Sequence, residues 1–517
     1  MAQWPSPVGR CNVLGGVRKA GVELPFPVLL PRSPQATLAT SESRGCLIRA
    51  AAAASAAWAC STSRRSTRRR ACSEWLVGEQ DEREFESEDA YVASLEAQAE
   101  LPEGFRIGTT ALTFIPEEAQ EMGQLPMRLT VISLAEPSDM VAAVFTQNAF
   151  PGAPVRIGRR RLLEKAQLQA VLVNNKISNV SPPDADGGVA ASERLCSHLA
   201  ETLNLAGGGE AVLPSSTGVI GWRLPVDEMI GAISGLSDET LQDKSGSATV
   251  AARGIMTTDR YPKLSSKAFS TGRLVGIAKG AGMIEPNMAT MLSFLMTDVA
   301  FERTELQKML EECVASSFNA ISVDGDESTS DTVVLMSSGK IPAGEVSKED
   351  FQTALQDVCC DLAAQVVRNG EGTQHVIRVA VRGADSNETA SKVAKAVVNG
   401  PLFKSAVAGN DPNVGRLIGK IGQSLGSAGA KMAQGCICKI GGETIFQDGQ
   451  FSLDTAKERR LSSHLKFAAA DSQLPYPQHR RVVDVEVVLG GGGSGEAVVL
   501  GSDLTTEYVK INADYRS

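Results

Sequence analysis

Lys279-Gly280-Ala281-Gly282-Met283-Ile284-Glu285-Pro286-Asn287-Met288-Ala289-Thr290-Met291-Leu292 lies between two apolar runs, Leu274 to Ala278 and Met291 to Met296, each of which reads as a strand. Two glycines, a proline and an asparagine between strands demand a tight, irregular connection, because glycine and asparagine accept left-handed backbone and proline cannot continue a ladder. Spacing alone is equally consistent with an ordinary Gly-rich loop between buried strands. The pair Ala289-Thr290 adds chemistry. A cut there makes Thr290 an N-terminal residue, with its hydroxyl as nucleophile and its own amine as base.

These fourteen residues resemble the processing and nucleophile segment of the ornithine acetyltransferase family, also called glutamate N-acetyltransferases. With the segments described below, the resemblance extends from about residue 101 to Ser517. It implies self-cleavage at Ala289–Thr290 and an acetyl group carried on Thr290. It also implies a four-layer α/β/β/α sandwich of the ornithine acetyltransferase and aminopeptidase type. The two products would be an alpha chain, 101–289, and a beta chain, 290–517, assembled as a heterotetramer of two of each. The implied reaction moves acetyl from N2-acetyl-L-ornithine to L-glutamate in arginine biosynthesis and uses no cofactor or metal. Acetyl-CoA is a further donor in some members.

Composition suits such an enzyme. The 517 residues, 43% hydrophobic, supply a large core in two or more lobes. No run of eighteen apolar residues exists to span a membrane. The net charge of -9 divides unevenly: residues 1–73 hold eleven Lys and Arg against two acidic residues, a net +9, so the remainder carries -18. A body that acidic is a poor nucleic-acid binder. Of the ten cysteines, four fall in residues 1–73, and Cys359-Cys360 and Cys436-x-Cys438 read as reduced core residues.

Residues 1–73 are rich in Arg, Ser and Ala and poor in acids, and they end in Arg68-Arg69-Arg70. This is the composition of a disordered organellar transit peptide, directed to a plastid stroma or a mitochondrial matrix. Residues 74–100, dense in Glu and Asp, read as an acidic linker or short surface helix.

Further along, Arg128 to Ala135 and Val141 to Thr146 read as neighbouring strands joined by a turn at Glu136 to Asp139. Gln169 to Val173 is another strand. Leu195, Leu199 and Leu203 mark a helix closed by Gly207 to Gly209. Leu306, Met309, Leu310 and Cys313 give one face of a helix over about 304–318. Ser347 and Asp350 form a capping box for a helix reaching Arg368. Val376 to Val381, Cys436 to Ile440 and Val482 to Leu489 are strands, with Gly490 to Gly495 as a hairpin connection.

Four clusters could act around Thr290. Thr217-Gly218, in the small-residue turn Pro214 to Gly221, offers a hydroxyl and a glycine amide side by side, two neutral donors suited to an oxyanion hole. The resemblance places its oxyanion pair there, so both residues are expected to be catalytic with Thr290. Thr257-Thr258-Asp259 resembles a substrate-contacting segment, with the contacting threonine left open between Thr257 and Thr258. Lys279 is a cation suited to a substrate carboxylate. Glu371, in Asn369 to Gly372, and Asn512 and Ser517, in the C-terminal segment, inherit substrate contacts from the resemblance.

The segments Asp324 to Thr332 and Asn410 to Arg416 also match, without an assigned role; the carboxylates of the first read as turn chemistry. Thr373-Gln374-His375 and Asn174 to Val180 depart from the common pattern, which bears on substrate preference. Four histidines, His198, His375, His464 and His479, sit in no nucleophile-elbow or metal-ligand context. An amine-activated threonine needs none, since an α-amino group titrates at about 7.7–8.0. Two alternatives stay open: a self-processing amidopeptidase of the same fold with water as acceptor, and an inactive relative serving as a binding protein.

Overall fold

The strand Leu292–Val299, which follows the quoted stretch, is buried at every position. A strand covered on both faces reads as a continuous apolar run for that reason. It is the centre of a five-stranded sheet in the order Val141–Phe145, Thr332–Ile341, Leu292–Val299, Arg273–Lys279, Lys263–Ala268. The computed structural model describes residues 85–164, 167–237, 239–241, 243, 247–285, 291–427, 435–470 and 481–513. Residues 1–73, Ala289, Thr290, His479 and Ser517 lie outside the described residues.

A four-stranded sheet faces the first, in the order Phe105–Phe114, Leu125–Ser138, Leu168–Asn174, Val212–Ser216. Strand alternation sorts its side chains to two faces. Ile132, Leu134, Val171 and Val173 meet Val275, Ile277, Phe294 and Met296 of the five-stranded sheet. On the outer face Met127, Leu129 and Val131 pack against the helices Val189–Thr202 and Val226–Ile233. Leu274, Leu295 and Val299, on the far face of the five-stranded sheet, pack against the helices Arg303–Ser316 and Lys348–Arg368. The expected four-layer α/β/β/α sandwich is thus present.

A third sheet adds to it. Seven strands run in the order Gln450–Phe451, Glu443–Gln447, Ile437–Ile440, Val482–Val488, Val376–Ala384, Gly495–Ser502, Ile321–Ser322. Ala380, Val498 and Leu500 join the cluster formed with the helix Lys348–Arg368. The opposite face is covered by helices Asn387–Val398, Val414–Ser427 and Thr455–Ala468. The layers therefore continue as α/β/β/α/β/α.

Two helix expectations hold as read. Ser347 caps the helix Lys348–Arg368 by accepting the Asp350 amide, and Leu306, Met309, Leu310 and Cys313 are the buried face of Arg303–Ser316. All six described cysteines are buried, and none is in a disulfide. Among the described residues no helix is long and apolar enough to cross a membrane.

Two expectations are corrected. Leu125–Ser138 and Val141–Phe145 are consecutive but not neighbours: the first pairs within the four-stranded sheet, the second with Thr332–Ile341 in the five-stranded one. Apolar residues on both faces of each strand are satisfied by two facing sheets, and the short link, held by Ser138 Oγ donating to Ser337 O at 2.7 Å, carries the chain across. Gly490 to Gly495 is likewise not a hairpin, since Val376–Ala384 lies between the strands it joins. The glycines are needed because the link crosses the end of that strand, where a Cβ on Gly493 would stand 2.0 Å from Ala384 O.

Residues 85–100 are more than a linker. Ser87 caps the helix Glu88–Glu96, whose Tyr91, Val92 and Leu95 are buried. Tyr91 packs edge-to-face on Tyr261 with ring centroids 5.5 Å apart.

Candidate active site

The strand Val212–Ser216 ends at Thr217, and hydrogen bonds to the neighbouring segment fix the turn that follows. Thr217 N donates to Asn174 O at 3.1 Å, Val219 N to Lys176 O at 2.9 Å, and Ser178 N to Val219 O at 3.0 Å. Gly218 has φ +126, and a Cβ there would lie 2.0 Å from Lys176 O, so no other residue fits. Its amide makes no hydrogen bond to another described residue. The divergent Asn174 to Val180 segment thus shapes the Thr217-Gly218 turn from behind.

Lys279, the last residue of Arg273–Lys279, reaches across to this turn, and its Nζ donates to Thr217 Oγ1 at 2.9 Å. An ammonium has donors only, so it occupies a lone pair of the hydroxyl and leaves the Thr217 proton free for another acceptor. Burial lowers the pKa of Lys279, while the carboxylates of Asp259, Asp331 and Glu371 raise it.

Asp259 is the anchor beneath. Its carboxylate accepts the Gly280 amide at 2.8 Å, the Thr257 amide at 3.0 Å and a bond from Lys263 Nζ. Burial opposes its ionisation, but Lys263, Lys279 and the Gly280 amide outweigh that and hold its pKa well below the usual carboxylate range. Lys263, fully enclosed, donates also to Asn369 Oδ1 at 2.9 Å. The bond from Thr257 leaves Thr258 as the threonine not held by Asp259.

Glu371 closes the opposite wall. Its amide donates to Ala281 O at 2.9 Å, and a Cβ on Gly282 would lie 2.4 Å from Glu371 Oε2. The second glycine of the quoted stretch therefore lets this carboxylate lie against the backbone. Asn512, on the C-terminal helix Thr506–Ala513, donates to Glu371 Oε2 at 2.7 Å. That helix is docked by Thr505 Oγ1 donating to Gly372 O at 2.8 Å. The divergent His375 is a buried strut: its Nδ1 pairs with Asp503 Oδ2 at 2.8 Å and its Nε2 with Asn410 Oδ1 at 3.2 Å.

Thr217, Gly218, Thr257, Thr258, Lys279, Glu371 and Asn512 all line a single cavity of about 300 Å³. Gly282 and Met283 before the proposed cut, and Met291 and Leu292 after it, line the same space. The volume suits a small amino-acid derivative.

The ArgJ family model matches residues 121–517. This chain belongs to the ArgJ family. The arginine biosynthesis bifunctional protein ArgJ 2 of Clostridium acetobutylicum is 34% identical over 374 residues, 72% of this chain and 89% of that protein. A crystal structure of the ArgJ protein of Bacillus halodurans is 36% identical and overlaps 44% of this chain and 100% of its own, with a TM-score of 0.38. An ornithine acetyltransferase of Mycobacterium tuberculosis, solved with ornithine, is 25% identical over 38% of this chain and 97% of its own, with a TM-score of 0.29.

The cavity also has a wall that motif reading left without a role. Ser178, Ser328, Thr329, Ser330 and Asp331 line it, the last four from the acidic Ser/Thr loop. Burial pushes the Asp331 carboxyl well above its ordinary range, and Ser328, Lys279 and the Met291 amide pull it only partly back. The loop was visible in the sequence as Asp324 to Thr332; its place in the site was not. Among the described residues no group of His, Cys, Asp and Glu is arranged to hold a metal ion.

Proposed function

We propose that this chain cleaves itself between Ala289 and Thr290 and then moves acetyl from N2-acetyl-L-ornithine to L-glutamate through an acetyl-Thr290 ester. The reading is carried by the convergence of seven candidate residues from separate parts of the chain on the cavity that both flanks of Thr290 also line. Family membership sets the reaction class, arginine biosynthesis by transfer.

In maturation the Thr290 hydroxyl attacks the Ala289 carbonyl, the peptide C–N bond breaks to leave the Thr290 amine and an ester, and water hydrolyses that ester to the Ala289 carboxylate and the free Thr290 hydroxyl. In turnover the Thr290 amine takes the hydroxyl proton as Oγ attacks the acetyl carbonyl. The amide C–N bond of N-acetylornithine breaks and that proton leaves with the ornithine amine. The amine of glutamate then attacks the acetyl ester, giving N-acetylglutamate and restoring the hydroxyl. Thr217 and Gly218 donate to the oxygen that becomes negative in each tetrahedral intermediate. Lys279 orients Thr217 and faces a substrate carboxylate. Glu371, with Asn512 and one of Thr257 and Thr258, holds the substrate, joined by Ser517.

Mass spectrometry of the purified protein, with acetyl transfer followed from N-acetylornithine to glutamate, tests the reading. A Thr290 terminus with transfer in the wild type, and an uncut, inactive Thr290→Ala chain, are expected. Uncut active protein overturns it, and release of free acetate in place of N-acetylglutamate establishes the amidopeptidase reading. The same assay with acetyl-CoA decides whether it is a second donor.

Residues 1–73 are proposed as a transit peptide for a plastid or mitochondrion, and the processed chains as a heterotetramer of two alpha and two beta. A fluorescent fusion of residues 1–80 that stays cytosolic refutes the first. A solution mass of a single alpha–beta pair refutes the second.

A further inference from the structure

The chain on both sides of residues 286–290 is held by one loop. On the approach, the two carboxylate oxygens of Asp324 accept consecutive amides, Met283 N at 2.7 Å and Ile284 N at 2.8 Å. Val323 N donates to Ile284 O at 2.6 Å, and Glu285 N to Asp326 O at 3.1 Å. Met283 has φ +56, a left-handed conformation that a residue with a long side chain adopts only when its surroundings impose it. The bond from its own amide to Asp324 is such an imposition. On the exit, Thr332 N donates to Met291 O at 3.0 Å.

Asp324 and Thr332 thus stand eight positions apart on one loop, and each holds one flank of the five-residue span that contains Ala289 and Thr290. The Asp324 carboxylate fixes backbone, through the Met283 and Ile284 amides. Tyr508 OH also donates to Asp324 Oδ2 at 3.1 Å, which ties the clamp to the helix that carries Asn512. Intramolecular attack on a neighbouring carbonyl depends on holding both partners in near-attack geometry, and a shift of about 1 Å can cost about 10²-fold.

We propose that Asp324 is a positioning residue for self-cleavage, holding the acyl side of the scissile bond while the Thr332 amide holds the side of the attacking threonine. This rests on the reading that the chain cleaves itself at Ala289–Thr290.

The test follows the appearance of the Thr290 terminus in full-length chain made by pulsed cell-free synthesis. Wild type, Thr290→Ala, Asp324→Asn, Asp324→Ala and Tyr508→Phe are compared, with the thermal midpoint of each. Asp324→Asn keeps one carbonyl acceptor and Asp324→Ala keeps none. The expected order of cleavage rates is wild type, then Asn, then Ala, with the Ala variant about 10- to 100-fold slower. Midpoints should not follow that order, which separates positioning from general loss of fold. Should the Asp324 variants fail to fold, Tyr508→Phe, which removes the hydroxyl donor to Asp324, decides by the same measure, slowed cleavage supporting the clamp and a wild-type rate overturning it. Folded Asp324 variants cut at the wild-type rate overturn the proposal while leaving self-cleavage intact. A wild-type chain that stays uncut removes the cleavage reading itself, and the clamp with it.

Discussion

The wall of the cavity and the outer face of the third sheet are equally buried and oppositely built. The third sheet's outer core is Ile377, Val379, Val381, Val483, Val485 and Val487 under the leucines and valines of three helices. The cavity wall and the layer beneath it bury Asp259, Lys263, Asp331 and Glu371. Apolar burial needs only area and shape, whereas each buried charge must find a counter-charge or donors. Lys263 and Lys279 show how closely that requirement is set. Both neighbour Asp259, but Lys263 is enclosed and spent on Asp259 and Asn369, while Lys279 remains at the cavity and reaches Thr217. One lysine secures the carboxylate so that the other can serve the site.

The sharpest break in this comparison is Thr217→Val, which keeps the side-chain shape and removes the hydroxyl. A donor that acts only on charge appearing in the intermediate should cost about 10²–10³ in turnover, roughly 2.7–4 kcal/mol, when it is lost. kcat should fall with KM for N-acetylornithine little changed, measured on protein first shown to carry the Thr290 terminus. A normal kcat in that cleaved variant makes Thr217 a turn residue, and a raised KM alone makes it a binding residue.

Lys263→Met should act on the fold. It removes the enclosed counter-charge from Asp259 and leaves a buried carboxylate dependent on Lys279 and two amides. Breaking a buried pair on one side typically costs about 3–5 kcal/mol, so the thermal midpoint should drop well below that of wild type. The second consequence is catalytic: Lys279 is drawn toward Asp259 and away from Thr217. A variant of unchanged stability and unchanged kcat would show that the two lysines are not a coupled pair.

These two sites differ in how far the sequence disclosed them. Thr217, Gly218, Lys279, Glu371 and Asn512 were legible because a long motif resemblance fixes positions that spacing alone cannot. Strands and helices were legible from alternation and four-residue periodicity, as in Arg303–Ser316. Lys263 was not, because a lysine at the start of a short strand looks solvated, and its partner Asn369 is 106 positions away. Asp324 and Asp331 were seen as turn carboxylates, since nothing local says which distant amides they meet. Sheet membership failed for the same reason: Leu125–Ser138 and Val141–Phe145 have the pattern of paired strands whether they meet edge to edge or face to face across a sandwich.

Ile377→Val is the smallest expected effect and the strictest check on the comparison. Ile377 is fully buried, six positions after Glu371 and two after His375, on the strand that continues directly from the cavity wall. Proximity in sequence would suggest influence on catalysis. Strand alternation argues the opposite, because Val376 and Ala380 face the helix layer behind the site while Ile377, Val379 and Val381 face outward into the third sheet's own core. Removing one methylene there should cost about 0.5–1.5 kcal/mol, seen as a modest fall in thermal midpoint. Cleavage at Ala289–Thr290, kcat and KM should match wild type. A folded variant with turnover lowered about tenfold would mean that outer-core packing is transmitted along the strand to Glu371. The third sheet would then be part of the catalytic frame, and the division drawn between the two regions would fail at this strand.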